Sequence, residues 1–148
     1  MINCLYIHIP FCIKKCIYCD FYSITIKSRI AEDYINVLCN EIKLRTLNSE
    51  LRTVYIGGGT PTILAEKEIS KILDAVGSHY SVRPEAEITI EANPKTIASK
   101  KAEALLKAGI NRISIGVQSF IDGELSILGR SHNAADAVSA AGEVRHAG

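Results

Sequence analysis

The apolar positions of the chain follow two alternating rhythms. Residues 5–9 form a short apolar run that stops at Pro10, as a buried strand does. Over residues 30–44, Ala31, Ile35, Leu38 and Ile42 recur at helical spacing between Glu32, Asp33, Glu41 and Lys43, which predicts an amphipathic helix. The same grammar then returns three times. Residues 53–56 predict a strand, followed by a helix with Ile69, Ile72, Leu73 and Val76 on one face. Residues 87–90 predict a third strand, followed by a helix that carries Ala102, Leu105 and Leu106 and stops near Gly109. Residues 112–117 predict a fourth, then a short helical stretch over residues 122–128 and an alanine-rich helix capped by Asn133.

Strand followed by helix, four times over, is the pattern of an α/β fold with a parallel sheet. Binding residues of such sheets gather where the strands end. All four exits carry polar or unusual residues: the Cys12-x-x-x-Cys16-x-x-Cys19 segment, Gly57-Gly58-Gly59-Thr60-Pro61, Glu91-Ala92-Asn93-Pro94 and Gln118-Ser119. Four parallel strands cannot close a barrel, and the last has an unpaired edge that favours self-association or poor solubility. The expectation is therefore a chain that carries part of a larger fold, with a complete four-unit open sheet as the competing arrangement.

Composition narrows the function. The 148 residues suit one domain with a core, and 17 Lys and Arg against 16 Asp and Glu leave a formal charge of +1, which argues against nucleic acid as the main partner. No apolar run is long enough to cross a bilayer and the first residues lack a secretory pattern, so a cytoplasmic address is expected. Three of the five cysteines fall within one short loop, which suits a soft metal centre better than a disulfide framework. Three thiolates are one short of a tetrahedral set. A zinc site would need Cys4 or His8, both on or beside the preceding strand, and unliganded thiols are the other alternative. Cys39 lies within a helix and reads as packing, Lys14 and Lys15 as solvated charge, and His79 and His146 have no ligand spacing. A glycine triplet can also be a tight turn, Tyr6 a core residue, and Glu91, Gln118 and Arg130 solvated or capping groups.

The run Tyr6-Ile7-His8-Ile9-Pro10-Phe11-Cys12-Ile13-Lys14-Lys15-Cys16-Ile17-Tyr18-Cys19-Asp20-Phe21 resembles the opening of radical S-adenosylmethionine proteins, and more narrowly the oxygen-independent coproporphyrinogen III oxidase-like group with its heme chaperone branch. The resemblance continues through Gly57 to Thr62, Glu91 to Pro94, Arg112 to Phe120 and Gly129 to Asn133. It implies a partial (β/α) barrel of the radical SAM type with about four strand-helix units of an expected six. Residues 1–148 would be the N-terminal part of the core domain, with the remaining strands and a C-terminal domain lying beyond it.

The resemblance further implies a [4Fe-4S] cluster on Cys12, Cys16 and Cys19, with one iron left open to the amino and carboxylate groups of S-adenosyl-L-methionine. A fourth thiolate would block that chelation. In the family, an electron passed to the sulfonium releases methionine and a 5'-deoxyadenosyl radical. Gly57, Gly58, Gly59 and Thr60 match the part that meets the methionine moiety, Tyr6 a tyrosine near the sulfonium and Tyr18 an aromatic position near the adenine. Glu91 matches a group for the ammonium, Arg130 one for the carboxylate and Gln118 one for the ribose. Arg112, His132 and Asp20 match without a separable role.

Two functions follow from the resemblance. A heme chaperone binds heme and passes it to an acceptor protein, whereas the oxidase decarboxylates two propionates of coproporphyrinogen III. The oxidases carry a further cysteine two positions after the third cluster cysteine; this chain has Phe21 there, which favours the chaperone branch. An electron donor such as flavodoxin or ferredoxin is implied, whether or not the chain has enzymatic activity. A noncatalytic remnant with a labile cluster is the third reading.

Overall fold

The computed structural model describes residues 3–26, 28–46 and 50–148. Its elements are β1 (Cys4–Ile9), β2 (Phe11–Cys12), β3 (Ile24–Thr25), α1 (Ser28–Leu44), β4 (Glu50–Gly58), α2 (Glu66–His79), β5 (Ser81–Ala92), α3 (Ser99–Lys107), β6 (Arg112–Ile115), α4 (Asp122–Ile127) and α5 (Ala134–Ala147). Short 3-10 turns, Pro61–Ile63 and Pro94–Thr96, follow β4 and β5.

The four long strands form one parallel sheet in the order β1-β4-β5-β6. That order never reverses. Helix α1 packs on α2, α2 on α3, and α3 on α5, one continuous layer, which is where right-handed crossovers between parallel strands in this order place them. This is the winding of a partial (β/α) barrel, as expected, and not that of a doubly wound sheet.

Strand alternation divides the side chains. Ile7, Ile9, Val54, Ile56 and Ile90 point to the helices and are buried against Ala31, Ile35 and Ile42 of α1, Ile69, Ile72 and Val76 of α2, and Ala102 and Leu105 of α3. The opposite face is polar. Tyr6, Tyr55, Thr89 and Arg112 pair across the four strands at one level, and His8 pairs with Gly57, and Glu91 with Ser114, at the next. No helix among the described residues is long and apolar enough to cross a membrane.

Several boundaries differ from the sequence pattern. Gly57 and Gly58 finish β4 as strand residues, and β5 takes in Glu91 and Ala92 as well as a polar beginning from Ser81. The β4–β5 register shifts between Leu51 and Thr53, which accommodates Pro84, a residue without an N–H for the ladder. Strand β6 stops at Ile115, two residues early, because the chain turns at Gly116 to Gln118. Leu106 is 46% exposed, since it lies 100° around the helix from the fully buried Leu105. Asn133 does cap α5: its Oδ1 accepts the Asp136 N–H at 2.8 Å, and the Asp136 carboxylate accepts the Asn133 N–H at 2.9 Å.

Candidate functional site

The cysteine loop is built outward from Phe11. This ring is fully buried, edge-on to Tyr34 at 5.3 Å, and its burial stabilises the base of the loop by roughly 1.5–3 kcal/mol. Backbone bonds then fix Cys12. Ile24 N–H donates to Pro10 O at 2.7 Å and Ile26 N–H to Cys12 O at 3.0 Å, pairing β2 with β3. On the other side, Gly59 N–H donates to Ile9 O at 2.8 Å and Thr60 N–H to Phe11 O at 2.7 Å. Two residues per strand are too few for a hydrophobic rhythm, which is why this clasp has no signature in the sequence.

His8 ties the far end of the loop to the sheet. Its Nε2–H donates to the Tyr22 carbonyl at 2.9 Å, and its Nδ1 accepts the Tyr6 hydroxyl at 3.0 Å. Both ring nitrogens are engaged, so His8 is a scaffold group here rather than a zinc ligand. Cys4 lies at the opposite end of β1, in a separate cavity with Thr53 and Glu87. Cys39 packs against the core of α1 and α2, with burial pushing its thiol up. All five cysteines are free thiols.

Cys12, Cys16 and Cys19 line one cavity with Lys14, Lys15, Tyr18, Gly58, Gly59, Thr60 and Arg130. Gly59 is required by space: a Cβ there would stand 2.5 Å from Phe11 O and 3.0 Å from Cys12 Sγ. At Gly58, φ is +115° and a Cβ would meet the His8 ring at 2.6 Å. The glycine run is therefore more than a turn; it lets backbone approach both the sulfurs and the histidine.

Donors reach two of the three sulfurs. The Thr60 hydroxyl lies 3.9 Å from Cys12 Sγ, and Arg130 Nη1 donates to Cys16 Sγ at 3.4 Å and to the Tyr18 hydroxyl at 3.3 Å. Arg130 Nη2 donates to Gly116 O at 2.6 Å, so one guanidinium joins the cysteine loop to the β6 exit, while its buried Nε has no partner. Burial raises the Tyr18 phenol despite the opposing pull of Arg130.

A second cavity of about 250 Å³ adjoins the first and shares Tyr18, Cys19, Gly58, Gly59, Thr60 and Arg130 with it. It adds Glu91, Ser114, Gly116 and Gln118. Glu91 Oε1 accepts the Tyr55 hydroxyl at 2.7 Å and Oε2 the Gly58 N–H at 3.0 Å. Among the described residues neither Glu91 nor Arg130 has a salt-bridge partner. One cavity thus presents an unneutralised carboxylate and an unneutralised guanidinium, which suits a zwitterion carrying an ammonium and a carboxylate.

Two predicted residues stand slightly apart. Tyr6 and Gly57 line neither cavity; Tyr6 is 54% exposed on the polar sheet face, stacked on Tyr55 at 6.0 Å, so it is not a core residue. Burial, and then Glu91, raise its phenol. Arg112 faces Glu87 on the same sheet face, and Asp20 is exposed in the loop. Tyr55 was invisible to sequence reasoning, yet its position two residues before Gly57 puts it on the polar face beside Tyr6.

The donor set fits an iron–sulfur cluster. Among the described residues no three His, Cys, Asp or Glu side chains converge to hold a single ion. Three soft thiols lining one cavity, with hydrogen-bond donors at two of them, are a donor set whose chemistry suits a cluster held through three thiolates.

The chain is similar to proteins already known. The heme chaperone HemW of Escherichia coli (strain K12) is 43% identical over 141 residues, which is 93% of this chain and 37% of that protein. HemW of Haemophilus influenzae is 43% identical over 144 residues, 92% of this chain and 38% of its own length. The chain therefore spans well under half the length of these relatives. The solved structure of coproporphyrinogen III oxidase (HemN) from Escherichia coli, described as a radical SAM enzyme, superposes with a TM-score of 0.89 at 30% identity, covering 97% of this chain and 34% of that one. A family profile for the radical SAM superfamily matches residues 6–148, and with that match running from Tyr6 through the cysteine loop to the end of α5, the chain belongs to the radical SAM superfamily.

Proposed function

We propose that the chain is the N-terminal part of the core domain of a cytoplasmic heme chaperone, which binds a [4Fe-4S] cluster and S-adenosyl-L-methionine and hands heme to an acceptor protein. The observation that carries this reading is the 43% identity to HemW together with Phe21 at the position of the oxidases' extra cysteine. Phe21 is 65% exposed and lines the larger cavity, so that position offers an apolar ring where a thiol would otherwise stand.

In this reading Cys12, Cys16 and Cys19 hold the cluster, which when bound supplies one-electron chemistry to the sulfonium of S-adenosyl-L-methionine. The chain's own residues do the rest. Arg130 offsets thiolate charge at Cys16 and receives the ligand carboxylate, and Glu91 receives the ammonium. Tyr18 would meet the adenine and Gln118 the ribose, with Tyr6, on the polar sheet face outside both cavities, toward the sulfonium side. Gly57, Gly58, Gly59 and Thr60 present backbone and hydroxyl to the methionine end. An electron donor of the flavodoxin or ferredoxin type completes the set of partners.

The test compares two substrates. After anaerobic reconstitution, hemin titration followed in the Soret region and transfer to an apo-hemoprotein are measured beside consumption of coproporphyrinogen III. Heme binding and transfer without porphyrinogen turnover is the expected result. Porphyrinogen turnover would assign the oxidase activity instead, and failure in both arms would support a remnant without either function.

A further inference from the structure

The exit of β6 holds the one non-glycine residue with positive φ among the described residues: Gln118, at +70°. The Ser119 N–H donates to Val117 O at 3.0 Å, so Gln118 is the centre of a three-residue turn of the rare, strained hand. Glutamine has no intrinsic preference for that region, and something outside the turn must hold it.

His132 does so from across the loop. It is 4% exposed, and its Nε2 lies 3.0 Å from the same Val117 oxygen. A carbonyl only accepts, so Nε2 carries the proton and Nδ1 is bare; Nδ1 is buried with no partner. The Val117 oxygen therefore takes two donors, the Ser119 N–H that closes the turn and the His132 N–H that pins it. One residue pair earlier, Arg130 Nη2 pins the Gly116 oxygen at 2.6 Å. Alternate residues of one segment thus grip consecutive carbonyls of another. At Gly116 a Cβ would stand 3.4 Å from Gln118 Nε2 and 3.6 Å from Arg130 Nη2, so the Gln118 amide and the guanidinium both lie beside Gly116 at the cavity wall.

We propose that His132 is a positioning residue for the cofactor cavity: its Nε2–H holds the Val117 carbonyl, which keeps Gln118 in its left-handed turn with the amide at the cavity wall. The consequence for S-adenosyl-L-methionine rests on the proposed function; the consequence for the turn does not. Burial lowers the imidazole's proton affinity, helped by Arg130 and Lys95 and opposed by the Val117 bond and Asp136, so the neutral form is the one that serves.

The test has two independent arms on the full chain. Nitrogen-15 NMR of labelled histidine should show a protonated Nε2 and bare Nδ1 at residue 132, and His132→Leu should speed amide exchange at Ser119 while His132→Gln, which keeps a donor at similar reach, restores protection. A protonated Nδ1 tautomer, or unchanged exchange in His132→Leu, overturns the proposal. In the second arm the reconstituted variants are titrated with S-adenosyl-L-methionine by electron paramagnetic resonance. His132→Leu should weaken binding about fivefold to tenfold at unchanged iron content, the scale of one hydrogen bond, with His132→Gln close to wild type. Equal affinity in all three overturns the positioning role. Wild-type protein indifferent to the cofactor, with the first arm as expected, overturns the reading of the cavity and supports the hold of His132 on the turn.

Discussion

Replacing Gly59 by alanine tests whether the glycine run is built around the sulfurs. A Cβ at 2.5 Å from Phe11 O and 2.9 Å from Phe11 C meets backbone, not the loose end of a side chain. That backbone cannot withdraw freely, since Phe11 is fully buried and its oxygen already accepts the Thr60 N–H at 2.7 Å. Overpacking of this kind costs about 1–3 kcal/mol, and the strained Thr60 bond adds about 1 kcal/mol. For a chain of this size that is a fall in Tm of roughly 5–15 °C. The same Cβ stands 3.0 Å from Cys12 Sγ, so iron retained after anaerobic reconstitution should fall as well.

Gly77 is the matched control. It lies within α2 and a Cβ there meets nothing within 4 Å. Gly77→Ala should stabilise by roughly 0.5–1 kcal/mol through helix propensity alone. Thermal melts by circular dichroism and iron-to-protein ratios separate the two variants: opposite signs in Tm, and iron lost only in Gly59→Ala. A Gly59→Ala protein that melts with wild type and keeps its full iron would refute the close-approach argument.

Lys101→Met should lower stability by about 1–3 kcal/mol in urea melts, because Lys101 Nζ donates to the Thr62 and Leu64 carbonyls, the latter at 2.6 Å, and ties α3 to the turn after the glycine run. Cys12→Ser, Cys16→Ser and Cys19→Ser should each lose reconstituted iron, whereas Cys39→Ser should keep it; equal iron in all four would sink the ligand assignment. Glu91→Gln should weaken S-adenosyl-L-methionine binding severalfold in the same titration while leaving heme uptake unchanged. The pH dependence follows from His132, whose folded-state pKa lies below the ordinary 6.5. Between those two values the unfolded chain binds more protons, so stability falls as pH drops below about 6.5 and levels off once the folded-state value is passed. Urea midpoints against pH should lose that slope in His132→Leu.

The division between what the sequence pattern reveals and what it hides follows contact range. Elements whose apolar positions repeat over several turns, such as Ala31, Ile35 and Ile42 in α1, are legible because one face buries in a single layer. The same holds for the proposed cluster ligands: Cys12, Cys16 and Cys19 sit in one loop, so their grouping is local. The strand ends are less legible. Ser81 to Glu85 extends β5 although Arg83 and Glu85 are charged, because Arg83 pairs with Glu50 at 2.6 Å across the sheet, an interaction no local window contains.

The site's remaining structure is long-range by necessity. A loop that ends a strand is free to move unless something outside it completes its hydrogen bonds, and the ties here come from other elements, some far along the chain. His8 holds Tyr22, Arg130 reaches Cys16 across a separation of 114 residues, and Lys101 holds the turn after β4. Gln118 makes the point most sharply. Where backbone alone needs a positive φ, as at Gly58, the residue is glycine and the sequence advertises it. Where a side chain must also be delivered to the cavity, glycine would discard the amide, so the strained conformation is given to a glutamine and its stabilisation is moved to His132, fourteen residues away in a different loop. Single-residue patterns cannot reveal that transfer, because neither residue is unusual in its own context; only the shared Val117 carbonyl joins them.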